Sequence, residues 1–148
     1  MPVKNPGYAY KTDVEITQSR AEIEAQLGRA GAGQIVGGWD RNTRSGFIIF
    51  ALGGKQYRLD VPQREYGHRE KDQVDRERWR ALLLIVKARL ELVRAELSTV
   101  EVEFLPHMML PNGKPVAEVI MPAIEKMYED GQMRPLLPGF NKQLGEGS

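Results

Sequence analysis

The segment DRERWRALLLIVKARLELVRAEL, residues 75–97, constrains the fold of this chain more than any other. When successive residues are placed about 100° apart around a helix axis, two apolar sides emerge. One side collects Trp79, Leu82, Leu83, Val86, Leu90, Val93 and Leu97. The opposite side collects the less bulky set Ala81, Leu84, Ile85, Ala88, Leu92 and Ala95. A helix that is apolar on two sides is expected to be covered on both, with only its edges in water.

The edges of this helix are rich in arginine. One edge, which we call the basic seam, consists of Arg76, Arg80, Lys87 and Arg94, with Glu91 among them. The other edge holds Arg78, Arg89 and Glu96. We therefore predict a central helix whose bulkier side packs on a sheet. Its second side is expected to meet either the last helix or another subunit.

The segment before the sheet contains a predicted strand and a predicted helix. Residues 10–17, YKTDVEIT, alternate apolar with polar side chains, which is typical of a half-buried strand. Ser19 and Glu22 have the spacing of a capping box, in which the two residues satisfy each other's free backbone N–H groups. Gly31 then provides a residue at which this helix can end. The sequence therefore predicts a short N-terminal helix.

Three further strands are predicted, at 34–39, 46–52 and 55–61. The middle one, GFIIFAL, is apolar on both faces, as expected of a central strand. Gly53 and Gly54 between the last two strands favour a two-residue type I′ turn, because both positions of that turn need a positive φ. These strands predict an antiparallel hairpin.

The segments around the central helix are predicted from their turn residues. Residues 62–73 are polar and are interpreted as a loop. Residues 99–104, TVEVEF, alternate and indicate either a short strand or a continuation of the helix. Residues 111–113, Pro-Asn-Gly, predict a turn.

The chain is predicted to end in one more helix, over 115–130. Pro115 suits its first position and Gly131 its end, and Pro122 inside it is expected to kink it. The order of elements predicts the α+β class, with a small, mostly antiparallel sheet of about four strands packed on a long central helix. A short N-terminal helix and a C-terminal helix complete the prediction. We expect one domain over 1–148, ordered from about residue 8 to about 137, and an extended or frayed tail at 138–148.

Composition excludes several classes of function. The chain has no cysteine, so disulfides, thiol nucleophiles and thiolate metal sites are excluded. Its longest apolar run, at 81–86, is far too short to span a bilayer, and its first residues carry no hydrophobic signal core. A soluble cytoplasmic protein, without a membrane partner, is expected.

Charge is divided along the chain although the formal net charge is only +1. The middle is basic, with Trp39, Tyr57 and Tyr66 interleaved, and the segment after residue 98 is acidic. Cations can follow the phosphates of a single strand while aromatic rings stack on its bases. The leading hypothesis is therefore nucleic-acid binding, with single strands preferred over duplex. The residues predicted to carry it are Arg41, Arg44, Lys55 and Arg58 on the hairpin and Arg76, Arg80, Lys87 and Arg94 on the helix.

Two other hypotheses remain open. The acidic side of the last helix, made of Glu118, Glu125 and Glu129, suits a protein-binding effector that inhibits or redirects a host protein. The second apolar side of the central helix suits a homo-oligomer, with Leu84, Ile85, Ala88 and Leu92 as the interface. In addition, the basic residues of the middle segment are open to the simpler interpretation of solvated edges around a core.

Catalytic motifs are missing from the sequence, so an enzyme, a cofactor and a metal are not expected. The glycine-rich stretch at 30–38 precedes a strand instead of opening a helix after one, which is the wrong context for holding phosphate. His68 and His107 lie far apart in sequence, in a predicted loop and a predicted turn. Glu101 and Glu103 with Asp60 are candidate ligands for a divalent metal, but a solvated strand face is the simpler interpretation.

Four segments carry a resemblance to a known family. They are GWD at 38–40, RWRALLLIVKARLE at 78–91, EFLPHMMLPNG at 103–113 and MPAIEKMYEDGQMRPLLPG at 121–139. Together they resemble a family of small proteins of tailed phages and prophages to which no settled activity is attached. The resemblance implies a phage-type accessory protein made in a bacterial cytoplasm, and it implies no site residues. The order of elements is also loosely similar to that of single-strand annealing proteins, in which DNA lies in a basic groove between a sheet and a long helix.

Overall fold

The computed structural model describes residues 6–137, and their side chains from residue 11 onward. This part of the chain forms four α-helices, a three-stranded sheet and one 3₁₀ turn, so the α+β class is confirmed. In chain order the elements are α1 (Pro6–Arg29), β1 (Gln34–Asp40), β2 (Ser45–Leu52), β3 (Lys55–Val61), α2 (Lys71–Arg94), α3 (Val100–Glu103), the 3₁₀ turn (Leu105–His107) and α4 (Val116–Asp130).

The N-terminal segment corrects the sequence prediction. Residues 10–17 are helical and belong to α1, which at 24 residues is as long as α2. Ile16, Ile23 and Leu27 are all buried, and their spacing of seven and four residues places them on one side of a helix. That side packs against α2. The predicted fourth strand and the predicted short N-terminal helix are therefore wrong.

The three strands form the antiparallel sheet that the sequence predicts for residues 34–61. Their order is β1-β2-β3, and Leu52 pairs with Lys55 across the turn. Gly53 and Gly54 have φ values of 60° and 79°, the positive values that a type I′ turn requires. The predicted hairpin is confirmed.

The core lies between the inner face of the sheet and the helices α1 and α2. From the sheet it receives Ile48, Phe50, Tyr57 and Leu59, and from α2 it receives Trp79, Leu83, Val86 and Leu90. Phe104 also belongs to the core, and the centroid of its ring lies 5.6 Å from that of Phe50. Gly46 in β2 allows Trp79 of α2 to approach the sheet closely, because a Cβ on this glycine would lie 2.6 Å from Cζ2 of Trp79.

The segment after α2 is helical, in place of the short strand that was one interpretation of residues 99–104. α2 ends at Arg94, and Glu96 adopts a positive φ of 60°, so a continuation of α2 is also excluded. Thr99 then caps α3, since its hydroxyl accepts a hydrogen bond from the N–H of Val102 at 3.2 Å. The alternation that suggested a strand is too short to compete with this cap.

The C-terminal part agrees with the predicted elements. Residues 111–113 form a turn, and α4 ends at Gly131, which has a φ of 70° and donates its N–H to the carbonyl of Met127 at 2.8 Å. Pro122 lies inside α4 and the helix continues through it. Residues 131–137 have no regular structure, and the predicted tail at 138–148 lies outside the described residues. None of the helices within residues 6–137 has the length and apolar character that crossing a membrane requires.

Candidate interaction surfaces

Arg44 is held in a partly buried ion-pair network at the start of α2. Its guanidinium contacts Asp72 at 2.8 Å and Asp75 at 2.5 Å, and the hydroxyl of Tyr66 donates a further hydrogen bond to Asp75. Asp75 is completely buried. Burial lowers the pKa of Arg44, but the hydrogen bonds with the two aspartates outweigh it, and the pKa lies above its usual value. Arg44 therefore joins the β1–β2 turn to α2.

Acidic side chains of α1 face the basic residues beside it. Three ion pairs cross between α1 and its neighbours, namely Arg76–Glu15 at 2.9 Å, Lys87–Glu22 at 2.5 Å and Arg41–Asp13 at 3.2 Å. An open groove of about 460 Å³ between α1 and α2 is lined by Arg76 and Arg80 but also by Glu15, Glu22 and Glu77. The basic seam thus lies in a surface of mixed charge.

The remaining predicted cations differ in their environment. Lys55 pairs with Glu101 at 3.5 Å, Arg58 with Asp60 at 2.8 Å and Arg94 with Glu91 at 2.6 Å. Arg80 is exposed and has no ion pair within residues 11–137. Seven of the eight residues predicted to bind nucleic acid therefore already face a carboxylate.

The three acidic residues that the sequence offers as metal ligands are engaged by neighbouring side chains. Glu101 faces Lys55 and Asp60 faces Arg58, while Glu103 accepts a hydrogen bond from the hydroxyl of Ser98. Across residues 11–137, no three histidine, aspartate or glutamate side chains are grouped so as to hold a metal ion.

The second apolar side of α2 is exposed along its length, and we call it the α2 stripe. Leu84, Ile85 and Leu92 expose 54%, 44% and 39% of their surface. Ala81, Ala88 and Ala95, which complete the stripe, are exposed as well. Isolated exposed leucines are ordinary, whereas a contiguous apolar stripe is less common on the surface of a monomer. The division of α2 into two apolar sides follows the sequence prediction.

Helix α4 packs on the 3₁₀ turn instead of along α2, so it does not cover the α2 stripe. Of its residues only Val116 is buried, while Tyr128 exposes 87% of its surface. Glu118, Glu125 and Glu129 are exposed on one side of α4, and none of them has an ion pair within residues 11–137. Two apolar helix surfaces are therefore left without a partner in the described chain.

Comparisons of this chain with protein-family models, with curated proteins and with solved structures find no match. The likeness to small phage and prophage proteins stays a prediction.

Proposed function

We propose that this protein is a homo-oligomeric assembly protein, in which α4 of one copy lies on the α2 stripe of another. The observation that carries the proposal is the exposure of Leu84, Ile85 and Leu92 on α2 while α4 packs elsewhere. Burying an exposed leucine or isoleucine completely gains about 1.5–3 kcal/mol. A stripe of three such residues, flanked by three alanines that allow close approach, is a favourable surface for a second helix.

The apolar side of α4 suits that role. Ile124, Met121 and Tyr128 lie on one side of the helix, next to the three glutamates, and Met121 and Tyr128 expose 45% and 87% of their surface. An amphipathic helix gains most of its stability from packing its apolar side, so a helix held mainly at its first turn needs further cover. The α2 stripe of a second copy supplies a matching apolar strip.

Charge favours the same pairing. Arg80 borders the α2 stripe and has no carboxylate partner within residues 11–137. On α4, Glu118, Glu125 and Glu129 have no cationic partner within the same residues. Opposite charges at the rim of an interface chiefly set its orientation and its association rate. An antiparallel or parallel docking of α4 on α2 would bring these unpaired groups of opposite sign to one border.

The first test is the mass of the full chain by sedimentation equilibrium over a range of concentrations. We expect masses above the 16.7 kDa of one chain, and Leu84→Glu should return the protein to a monomer. Val102→Glu is the matched control, because Val102 is also exposed, at 65%, but lies on α3 away from the stripe. A parent chain that is monomeric at every concentration, or a Leu84→Glu variant with unchanged mass, would refute the proposal.

A charge exchange tests the orientation. Arg80→Glu should weaken the association, and combining it with Glu125→Arg should restore much of the loss. If a host protein occupies the α2 stripe instead, the isolated chain is monomeric and the effector hypothesis replaces this one. The phage resemblance would then place that partner in a bacterium.

Nucleic-acid binding is the second candidate, and the outer face of the sheet favours it. Phe47 lies there with the guanidinium of Arg58 at 5.1 Å from its ring centroid, beside an open groove of about 660 Å³ that also contacts Trp39. A base could stack on such a ring while Arg58 contacts a phosphate. Fluorescence anisotropy with single-stranded and duplex oligonucleotides at two salt concentrations tests this. We expect weaker binding at high salt and in Phe47→Ala and Arg58→Glu, but not in Lys126→Glu on α4.

A further inference from the structure

The two edges of the sheet are treated differently by the rest of the chain. The β3 edge is covered, since Met108 forms a bridge with Tyr57 and the N–H of Met109 donates to the carbonyl of Gln56 at 2.8 Å. The β1 edge has no strand beside it within residues 6–137. An uncovered edge presents a row of N–H and C=O groups to any extended backbone that approaches it.

The register identifies the backbone groups at the β1 edge. Across the two-residue turn, Leu52 and Lys55 form a hydrogen-bonded pair, and such pairs alternate along an antiparallel ladder. This alternation directs the backbone N–H and C=O groups of Phe47 and Ile49 in β2 towards β1, where they pair with those of Gly38 and Val36. It also directs the backbone groups of Gln56 in β3 away from β2, in agreement with the hydrogen bond that the carbonyl of Gln56 accepts from the N–H of Met109.

The residues of β1 that lie between those partners are Ile35, Gly37 and Trp39, and their N–H and C=O groups point away from the sheet. Natural sheets usually protect such an edge with lysine, proline or an inward-pointing charge. β1 reads QIVGGWD, and its one charged residue is the last. The interior of β1 itself therefore carries none of these protections, and the charge nearest to it is Glu24 of α1 beside Gly37.

We infer that β1 is a strand-addition edge at which a second copy of this chain pairs its own β1 in antiparallel orientation. The result is a continuous six-stranded sheet around a two-fold axis. This inference concerns a surface separate from the α2 stripe and does not rest on the proposed function.

The sequence of β1 fits itself in the register centred on Gly37. Val36, which is 59% exposed, then lies opposite Gly38 of the second copy on the outer face. A large side chain opposite a small one is a favourable cross-strand arrangement. The ring of Phe47 already lies over Gly38 and provides an apolar surface on which that valine can pack. On the inner face Ile35 lies opposite Trp39. A partner strand with a charged or bulky residue opposite Val36 would fit less well.

Amide hydrogen exchange, measured by NMR on the full chain, tests this pairing. The Leu84→Glu background removes association through the α2 stripe, so failure of that proposal does not affect the result. We expect the amides of Ile35, Gly37 and Trp39 to exchange at least about tenfold more slowly at high protein concentration than at low, because pairing stabilises the closed form by mass action.

Two variants carry the same new charge on the same face of the sheet. Val36→Lys should abolish the concentration-dependent protection, because it places a cation against the apolar ring of Phe47 near the two-fold axis. Gln56→Lys, on the exposed outer face of β3, should leave the protection intact. The inference is overturned if the three amides exchange at the same rate at every concentration, or if their protection survives Val36→Lys.

The register has a further consequence. Glu24 of α1 lies near Gly37, with its Oε1 only 3.1 Å from where a Cβ on that glycine would be. Pairing centred on Gly37 brings the two Glu24 carboxylates towards each other across the axis, and like charges at short range repel. Glu24→Gln should therefore increase the protection of the Gly37 amide, and a decrease would contradict this register.

Discussion

The two apolar sides of α2 carry similar residues and have different roles. Leu83 is 7% exposed and its neighbour Leu84 is 54% exposed, although they are chemically identical and occupy the same helix. The sheet and α1 cover one side of α2, and no described element covers the other. The hydrophobicity of a helix thus indicates that a surface needs a partner, but it does not say whether that partner is within the chain.

The ion pairs of α2 show the same contrast. Near its first turn Asp75, completely buried, is bound by Arg44 and Tyr66. In its last turn Arg94 pairs with Glu91 three residues earlier, and both side chains are about two-thirds exposed. The first pair holds two elements together, whereas exposed pairs of the second kind contribute little to stability.

The largest expected effect comes from breaking the buried network. Arg44→Gln should lower the free energy of unfolding by about 3–5 kcal/mol, because it removes the guanidinium that is hydrogen-bonded to the buried Asp75, and Arg78 at 3.9 Å is too far away to replace that hydrogen bond. Arg94→Gln should lower it by at most about 1 kcal/mol. Urea denaturation at low protein concentration measures both. Similar losses in the two variants would mean that the two regions do not differ as the structure indicates.

A smaller but sharper contrast is expected between the adjacent leucines. Leu83→Ala should cost about 2–5 kcal/mol of unfolding free energy, because it opens a cavity in the core beside the α1–α2 groove. Leu84→Ala has the same change in composition and helix propensity, and for the monomer we expect a change of no more than about 0.5 kcal/mol. The comparison is made by urea denaturation at low concentration. A large monomer loss in Leu84→Ala would show that the α2 stripe is covered within the chain.

Much of the fold is predictable from the sequence because its signals are local. The hairpin follows from Gly53 and Gly54, the end of α4 follows from Gly131, and the two sides of α2 follow from its periodicity. The N-terminal segment fails for a physical reason. Val14 and Ile16 alternate as in a strand, and the helical spacing from Ile16 to Ile23 and Leu27 is visible only over a longer window.

Because of this error, the sequence did not predict the ion pairs between α1 and the basic residues. With residues 10–17 taken as a strand, Asp13 and Glu15 have no reason to lie beside Arg41 and Arg76. Their pairing depends on α1 lying along α2, which is a property of the packed structure. The helical period of α1 is the signal that would have placed these acids next to the cations. The open edge of β1 likewise depends on strand order, which local patterns do not contain.

The smallest expected effect is at His107, in the 3₁₀ turn near Arg89 of α2. Burial lowers the pKa of His107, and the nearby charge of Arg89 on α2 lowers it further, against weaker contributions from a hydrogen bond with the backbone of Arg58 and from the charge of Asp60, which raise it. The folded state therefore binds a proton less readily than the unfolded state, whose histidine titrates near pH 6.5. Stability should fall as the pH drops through that value, and the loss should level off below the pKa of the folded state. Thermal unfolding from pH 8 to pH 5 measures this. His107→Gln should flatten the fall, and an unchanged fall in that variant would contradict the assignment to His107.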